Sequence, residues 1–201
     1  MCQEVFEIVQ KMDLSDVEVR LALQCAPLIT RIKISNLLTV SSKESDRIHA
    51  VLEGTEIESY CLYRQGEKSI YFLFYRAEFE TYLNEFSIRQ VLEGYGYPKV
   101  EVTGVLECLR KRYKAFRNGK GKFPHEMGIL LGYPIEDVEG FVKNEGENYL
   151  YAGYWKVYKD VEDKKLLFDS YECAKEGLML LVGHGYSIRA IIEYIQRNGI
   201  C

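Results

Sequence analysis

What the sequence lacks narrows the field first. It has no apolar run near the ~18 residues that a membrane helix needs; the longest, such as Leu178 to Val182, are far shorter. Its start, Met1-Cys2-Gln3-Glu4-Val5-Phe6-Glu7, is acidic and has no apolar h-region, so no signal peptide is expected. The six cysteines, Cys2, Cys25, Cys61, Cys108, Cys173 and Cys201, are scattered and form no C-x-x-C. That spacing gives no structural zinc site, and without an export signal the thiols are expected to be reduced in a cytoplasm. A basic excess is also missing. Lys plus Arg is 26 against 30 for Asp plus Glu, a net charge of -4, which argues against a dedicated nucleic-acid binder. There is no internal repeat, low-complexity tract or linker, so residues 1–201 are expected to form a single domain.

What is present fits a soluble globular chain. Of its 201 residues, 47% are hydrophobic and 28% charged, enough to build a core without a metal or disulfide. The unusual feature is 16 Tyr against 9 Phe and 1 Trp. Tyrosine joins an apolar ring to a hydroxyl that seeks a partner when buried, so it suits either a polar-lined cavity or the boundary of a core.

The hydrophobic period predicts the elements. Val5, Phe6, Ile8, Val9 and Met12 have helical spacing. Ser15-Asp16-Val17-Glu18 reads as a capping box opening a helix that stops near Pro27. A second box, Ser41-Ser42-Lys43-Glu44, opens a helix ending at Gly54. Ile57 to Arg64 and Ser69 to Tyr75 then read as a β-hairpin turning at Gln65-Gly66-Glu67-Lys68. Neither face of the second strand is polar, so it is expected to be covered on both sides. Helices follow from Ala77 to about Gly94, with a break near Ser87, and from Thr103 to Phe116. Pro124 and Pro134 each suit the first position of a helix. Tyr149 to Tyr158 reads as a third strand, Asp160 opens a long helix, and Ser187 caps the last one. The fold class is therefore α+β: a small antiparallel or mixed three-stranded sheet, the hairpin plus one later strand, surrounded by helices.

The candidate site grows from the same punctuation. His125 and Glu126 bring two titratable groups to the helix start at Pro124, where a dipole favours neutral imidazole and draws anions. His125-Glu126 is not a zinc-protease motif, because residue 129 is Ile rather than a second histidine, and no metal site is expected. Gly153 would let a ligand or backbone approach its strand closely. Alternation would place Tyr154 and Lys156 on one face and Trp155 on the other. Arg76, just after the second hairpin strand, adds a cation. Cys25 with His125 is a candidate nucleophile and base, although a thiol near a helix C-terminus is poorly placed to ionise. The basic run Arg110, Lys111, Arg112, Lys114, Arg117, Lys120 and Lys122 reads as a solvated helix face and loop.

Two long motifs, Phe123-Pro124-His125-Glu126-Met127-Gly128-Ile129-Leu130-Leu131-Gly132-Tyr133-Pro134 with Glu136-Asp137-Val138 and Gly140-Phe141, and Gly153-Tyr154-Trp155-Lys156-Val157-Tyr158, resemble the signatures of a bacterial family. That family is domain of unknown function 3793. Cys25-Ala26-Pro27 and Tyr75-Arg76 are similar to shorter motifs of it. Where the family commonly has Thr-Leu and later Lys-Pro, this chain has Leu28-Ile29 and Lys33-Ile34. The resemblance names no reaction and leaves the cofactor unknown. Three functions follow as expectations. The first is binding of a small anionic ligand or cofactor by Arg76, His125, Glu126, Tyr154, Trp155 and Lys156. The second is a Cys/His enzyme using Cys25 and His125, with Glu126 as a further catalytic candidate. The third is an interaction or regulatory module without chemistry.

Overall fold

The computed structural model describes residues 3–198. In chain order the elements are α1 (Gln3–Val9), α2 (Val17–Ile29), β1 (Ser35–Ser41), α3 (Ser45–Leu52), β2 (Ile57–Gln65), β3 (Lys68–Tyr75), α4 (Arg76–Leu83) and α5 (Phe86–Gly94). They continue with α6 (Val102–Arg117), α7 (Met127–Leu130), α8 (Ile135–Lys143), β4 (Tyr151–Ala152), β5 (Lys156–Val157), α9 (Val161–Gly183) and α10 (Ile188–Asn198). The class is α+β, with a three-stranded antiparallel sheet among helices. Residue contacts divide the chain into two units, Met1–Tyr75 with Ser170–Cys201, and Arg76–Asp169.

In the first unit β3 is the central strand, in the order β1-β3-β2. The hairpin turns through Gly66, whose positive φ of 58° suits a residue without Cβ. From Ser69 to Tyr75 every residue of β3 is buried, as the absence of a polar face predicts. Tyr71, Leu73 and Tyr75 join a core with Leu21, Ala22, Cys25, Leu28 and Ile29 of α2, Ile48 of α3 and Ile188 and Ile192 of α10.

Several local readings need correction. The third strand of the sheet is β1, not a later segment, and the reading from sequence missed it because its ends, Ser35-Asn36 and Ser41, look like turn and cap residues. Its signal was the β-branched Thr39 between the buried Leu38 and Val40. The edge of β1 is sealed by Gln24 of α2, whose amide accepts from the Thr39 amide nitrogen at 2.9 Å and donates to the Thr39 carbonyl at 3.2 Å. One side chain thus plays the part of a neighbouring strand. α2 runs through Pro27 to Ile29. The proline forfeits one hydrogen bond near the helix end, and burial of Ala26, Leu28 and Ile29 at 0% exposure outweighs that loss. Its cap is Asp16, which accepts from the amides of Glu18 and Val19, while Ser15 turns to Asp13. Glu18 does not close a box either. Its carboxylate accepts from the Ile188 amide at 2.7 Å, at the first position of α10. Ser187 caps that helix as predicted, accepting from Ala190. The second box also fails: β1 takes Ser41, and α3 starts only at Ser45.

In the second unit, α4 and α5 meet at Asn84-Glu85, close to the predicted break, and α6 closely follows its predicted range. Segment 149–158 is not a third strand of the sheet. It folds back on itself as β4 and β5, with Tyr151 opposite Val157 and Ala152 opposite Lys156. Gly153-Tyr154-Trp155 forms the turn, closed by the Gly153 amide on the Trp155 carbonyl at 3.1 Å.

Replacing Glu18 with Ala leaves the Ile188 amide without its acceptor and should cost ~1–2 kcal/mol in chemical denaturation. Glu18→Gln, which keeps an acceptor oxygen, should lose less. Equal losses in the two variants would show that the carboxylate does not cap α10.

Candidate functional site

Pro124 does not begin a long helix. It opens a single turn, with the Met127 amide on the Pro124 carbonyl at 3.0 Å and the Gly128 amide on the His125 carbonyl at 3.0 Å. α7 is then only four residues long. The Met127 and Gly128 amides are thus spent inside the turn, and a four-residue helix has little dipole to offer an anion. Pro134 likewise sits before its helix, as the cap of α8 rather than its first residue.

The structure sorts the predicted residues into three groups. Glu126 turns inward, 2% exposed. Its carboxylate accepts from the Tyr97 hydroxyl at 3.2 Å and from Arg112 Nη1 at 3.1 Å, and Arg112 also donates to the Tyr95 carbonyl at 2.5 Å. The Arg112 guanidinium lies 5.0 Å from the centre of the Tyr97 ring. Burial, then the Glu126 charge, pushes the Tyr97 phenol above its ordinary value. This is a paired internal carboxylate that holds α6 to the Pro124 turn. Tyr97 carried no sequence signal, and Arg112 was hidden within the basic run.

Tyr154 and Trp155 form the second group. Trp155 stacks on Tyr133 at 4.5 Å and meets Phe168 edge-on at 4.5 Å. Its indole nitrogen donates to Asp137 at 2.7 Å, and the other Asp137 oxygen accepts from the Tyr158 amide at 2.7 Å. Asp137, 1% exposed, therefore ties α8 to the β4–β5 ribbon. Tyr154, at the tip of the turn, lies 5.5 Å from Phe168 and is 40% exposed. The space beside Gly153 is taken by Phe168: an added Cβ would lie 2.3 Å from the ring. No ligand approach is needed to explain this glycine. Since Tyr154 sits in a turn, the predicted alternation of Tyr154 and Lys156 does not apply.

The third group brings His125 and Lys156 to one ring. Phe141 of α8 lies 5.3 Å from the His125 ring and 5.9 Å from Lys156 Nζ. Phe123 flanks His125 at 5.2 Å, and Tyr149 lies 4.6 Å from the ammonium. Lys156 donates to the Gly146 carbonyl at 2.5 Å, leaving two of its three donors unused. The His125 side chain makes no hydrogen bond among the described residues. Phe141, the hub of this group, was legible only as the end of a motif. Arg76 stands exposed at the first residue of α4 and is not among the groups on the Phe141 ring.

Cys25 belongs to the first unit, inside α2, and is 0% exposed. Burial pushes its thiol up to about 12, with the Asn36 amide, 3.6 Å from Sγ, and the Lys33 charge acting the other way. That is the opposite of an activated nucleophile. Lys33, also buried, donates to Asn36 Oδ1 at 3.0 Å, and burial lowers its ammonium to about 8. Cys25, Cys61, Cys108 and Cys173 are free thiols, while Cys2 and Cys201 lie outside the described residues. No group of three His, Cys, Asp or Glu side chains comes together among the described residues.

Two measurements follow. Gly153→Ala should destabilise the protein by ~1–3 kcal/mol through overpacking against Phe168; an unchanged melting temperature would mean the turn is looser than described. Lys33 supplies the second. Between its folded value of about 8 and its model-peptide value of 10.5, the unfolded chain holds the proton and the folded chain does not. Stability should therefore rise with pH across that window relative to Lys33→Met, which shares every other titrating group. A pH-independent difference between the two proteins would exclude a depressed Lys33.

No curated protein and no solved structure matches the chain. No helix among the described residues is long and apolar enough to cross a membrane. The family described as protein of unknown function (DUF3793) matches residues 21–192, taking in both long motifs and every candidate residue named above, and the chain belongs to that family.

Proposed function

We propose that the protein binds a small anionic ligand at the face built by His125 and Lys156, and that it acts in the bacterial cytoplasm. The observation that carries this reading is the meeting of two cation-capable groups, one from each long motif, on the Phe141 ring. A structural histidine usually spends its ring nitrogens on protein partners; those of His125 have none among the described residues. Lys156 keeps two donors for an oxyanion. Phe123 and Tyr149, 39% and 42% exposed, flank the two groups with open ring surface. An anion with a flat apolar body gains both charge pairing and ring contact there. Glu126, Tyr154 and Trp155 support this face through packing and do not enter the ligand site. Catalysis through Cys25 is not favoured, because its thiol is buried and held protonated.

Native mass spectrometry of freshly purified protein tests the reading. The expected result is a small anionic adduct on the wild-type chain that is lost in both His125→Gln and Lys156→Gln at an unchanged melting temperature. Wild-type protein that is free of any adduct, with both variants less stable, would make this face a packing device and remove the proposal.

A further inference from the structure

A cavity in the first unit is lined by groups that attract oxyanions, and none of the candidate site residues lines it. Its volume is about 430 Å³, within the range of small-ligand sites. It lies at the end of the β1–β3 ladder, where Ser41 stands opposite Lys68. The chain leaving β1 is fastened there to the hairpin turn. The Ser42 amide donates to the Glu67 carbonyl at 2.9 Å and the Ser42 hydroxyl to the Gly66 carbonyl at 2.9 Å. Three cations line the space: Arg20 from α2, Lys43 from the loop before α3, and Lys68 from the first position of β3. Lys43 and Lys68 are exposed and have no ion-pair partner among the described residues.

Arg20 supplies a guanidinium held in place at the cavity. Its Nη1 donates to the Thr39 carbonyl at 3.1 Å, which fixes the guanidinium against β1. Its Nε is buried and has no hydrogen-bond partner. That nitrogen is closed off from water, so Arg20 would meet an oxyanion through its Nη donors, in the fork that suits a phosphate. The remaining lining separates one class of anion from another. Thr39, Ser41 and Ser42 carry hydroxyls, and Glu67 brings a carboxylate without a partner among the described residues. These groups donate to and accept from alcohols. No aromatic ring lines the cavity, so a nucleobase would find no stacking surface.

We propose that this cavity binds a sugar phosphate, with Arg20, Lys43 and Lys68 on the phosphate and Glu67 with the hydroxyls of Thr39, Ser41 and Ser42 on the polyol. The site shares no lining residue with the His125–Lys156 face, and the proposal does not depend on that face.

Isothermal titration at constant ionic strength tests it with four probes: ribose 5-phosphate, inorganic phosphate, ribose and adenosine monophosphate. Ribose 5-phosphate should bind, inorganic phosphate should bind at least about tenfold more weakly, and ribose should not bind at all. Lys43→Gln and Lys68→Gln are surface changes that should leave the melting temperature in place and each weaken ribose 5-phosphate about tenfold. Arg20→Lys should weaken it further, because a single ammonium cannot replace the guanidinium fork. His125→Gln and Lys156→Gln should bind it like the wild type, which keeps this result distinct from the other face. No heat of binding with ribose 5-phosphate, equal binding of ribose, or lysine variants indistinguishable from wild type would overturn the site. Tighter binding of adenosine monophosphate than of ribose 5-phosphate would overturn the polyol assignment.

Discussion

The first unit depends on a strand that has no polar face. From Ser69 to Tyr75 every residue of β3 is buried, and its backbone is committed to β1 and β2. Such a strand is stable only if both neighbours are in register and its faces are covered, since each exposed aromatic would forfeit its burial energy. The surrounding elements answer that demand. α2, α3 and α10 pack on the face of Tyr71, Leu73 and Tyr75. Gln24 closes the outer edge of β1. Glu18 caps α10 from α2, which couples the two helices that lie on the same core. The polar side chains of this unit are therefore spent mostly on backbone groups that the hydrophobic arrangement leaves open.

The second unit is organised differently, around two internal carboxylates. Glu126 takes its hydrogen bonds from Tyr97 and Arg112, and Asp137 takes its own from Trp155 and the Tyr158 amide. Each joins segments distant in sequence, and each is 2% exposed or less. A carboxylate so buried is tolerable only with its acceptors filled, so the two sites are specific about their partners in a way that apolar packing is not. This explains why each long stretch around Pro124 and Pro134 holds a carboxylate, Glu126 and Asp137, that is hidden from solvent. His125 and Lys156 depart from the pattern in another way, because their polar atoms keep unused capacity.

Elements with a strong period were legible in the sequence. The hairpin, α6 and the Ser187 cap follow from local chemistry, and the covered strand follows from its unbroken apolar run. β1 was not legible, because its ends carry cap-like serines and its edge is completed by Gln24 from another element. Both capping boxes failed for a related reason. Glu18 and Ser41 have the residue types for a local bond, but a tertiary partner or a strand takes them first. The site was legible only in part. The motifs pointed to His125 and Lys156, whereas the ring that unites them, Phe141, and the partners that remove Glu126 and Trp155 from solvent are matters of folding. The cavity at Arg20 gave no sequence signal, since its cations come from three elements and no motif links them.

The tyrosine excess now has a physical account. Tyr82 donates to the Ile129 carbonyl at 2.8 Å, Tyr75 to the Ile29 carbonyl at 3.4 Å and Tyr158 to the Glu147 carbonyl at 3.1 Å. Tyr97 donates to Glu126, and the Tyr71 hydroxyl accepts from Arg64. In these cases the ring fills apolar space while the hydroxyl satisfies a group that a phenylalanine would leave without that partner. Short helices and tight turns leave carbonyls outside any ladder, and Ile129 of α7 and Glu147 beside Gly146 are of this kind. Tyrosine is the side chain that can close such a carbonyl from a distance without bringing a charge into the core. For these tyrosines the hydroxyl serves the fold, and their presence does not by itself mark a binding surface. Of the tyrosines flanking a candidate ligand, only Tyr149 is drawn into the site, and there it serves through its ring beside the Lys156 ammonium.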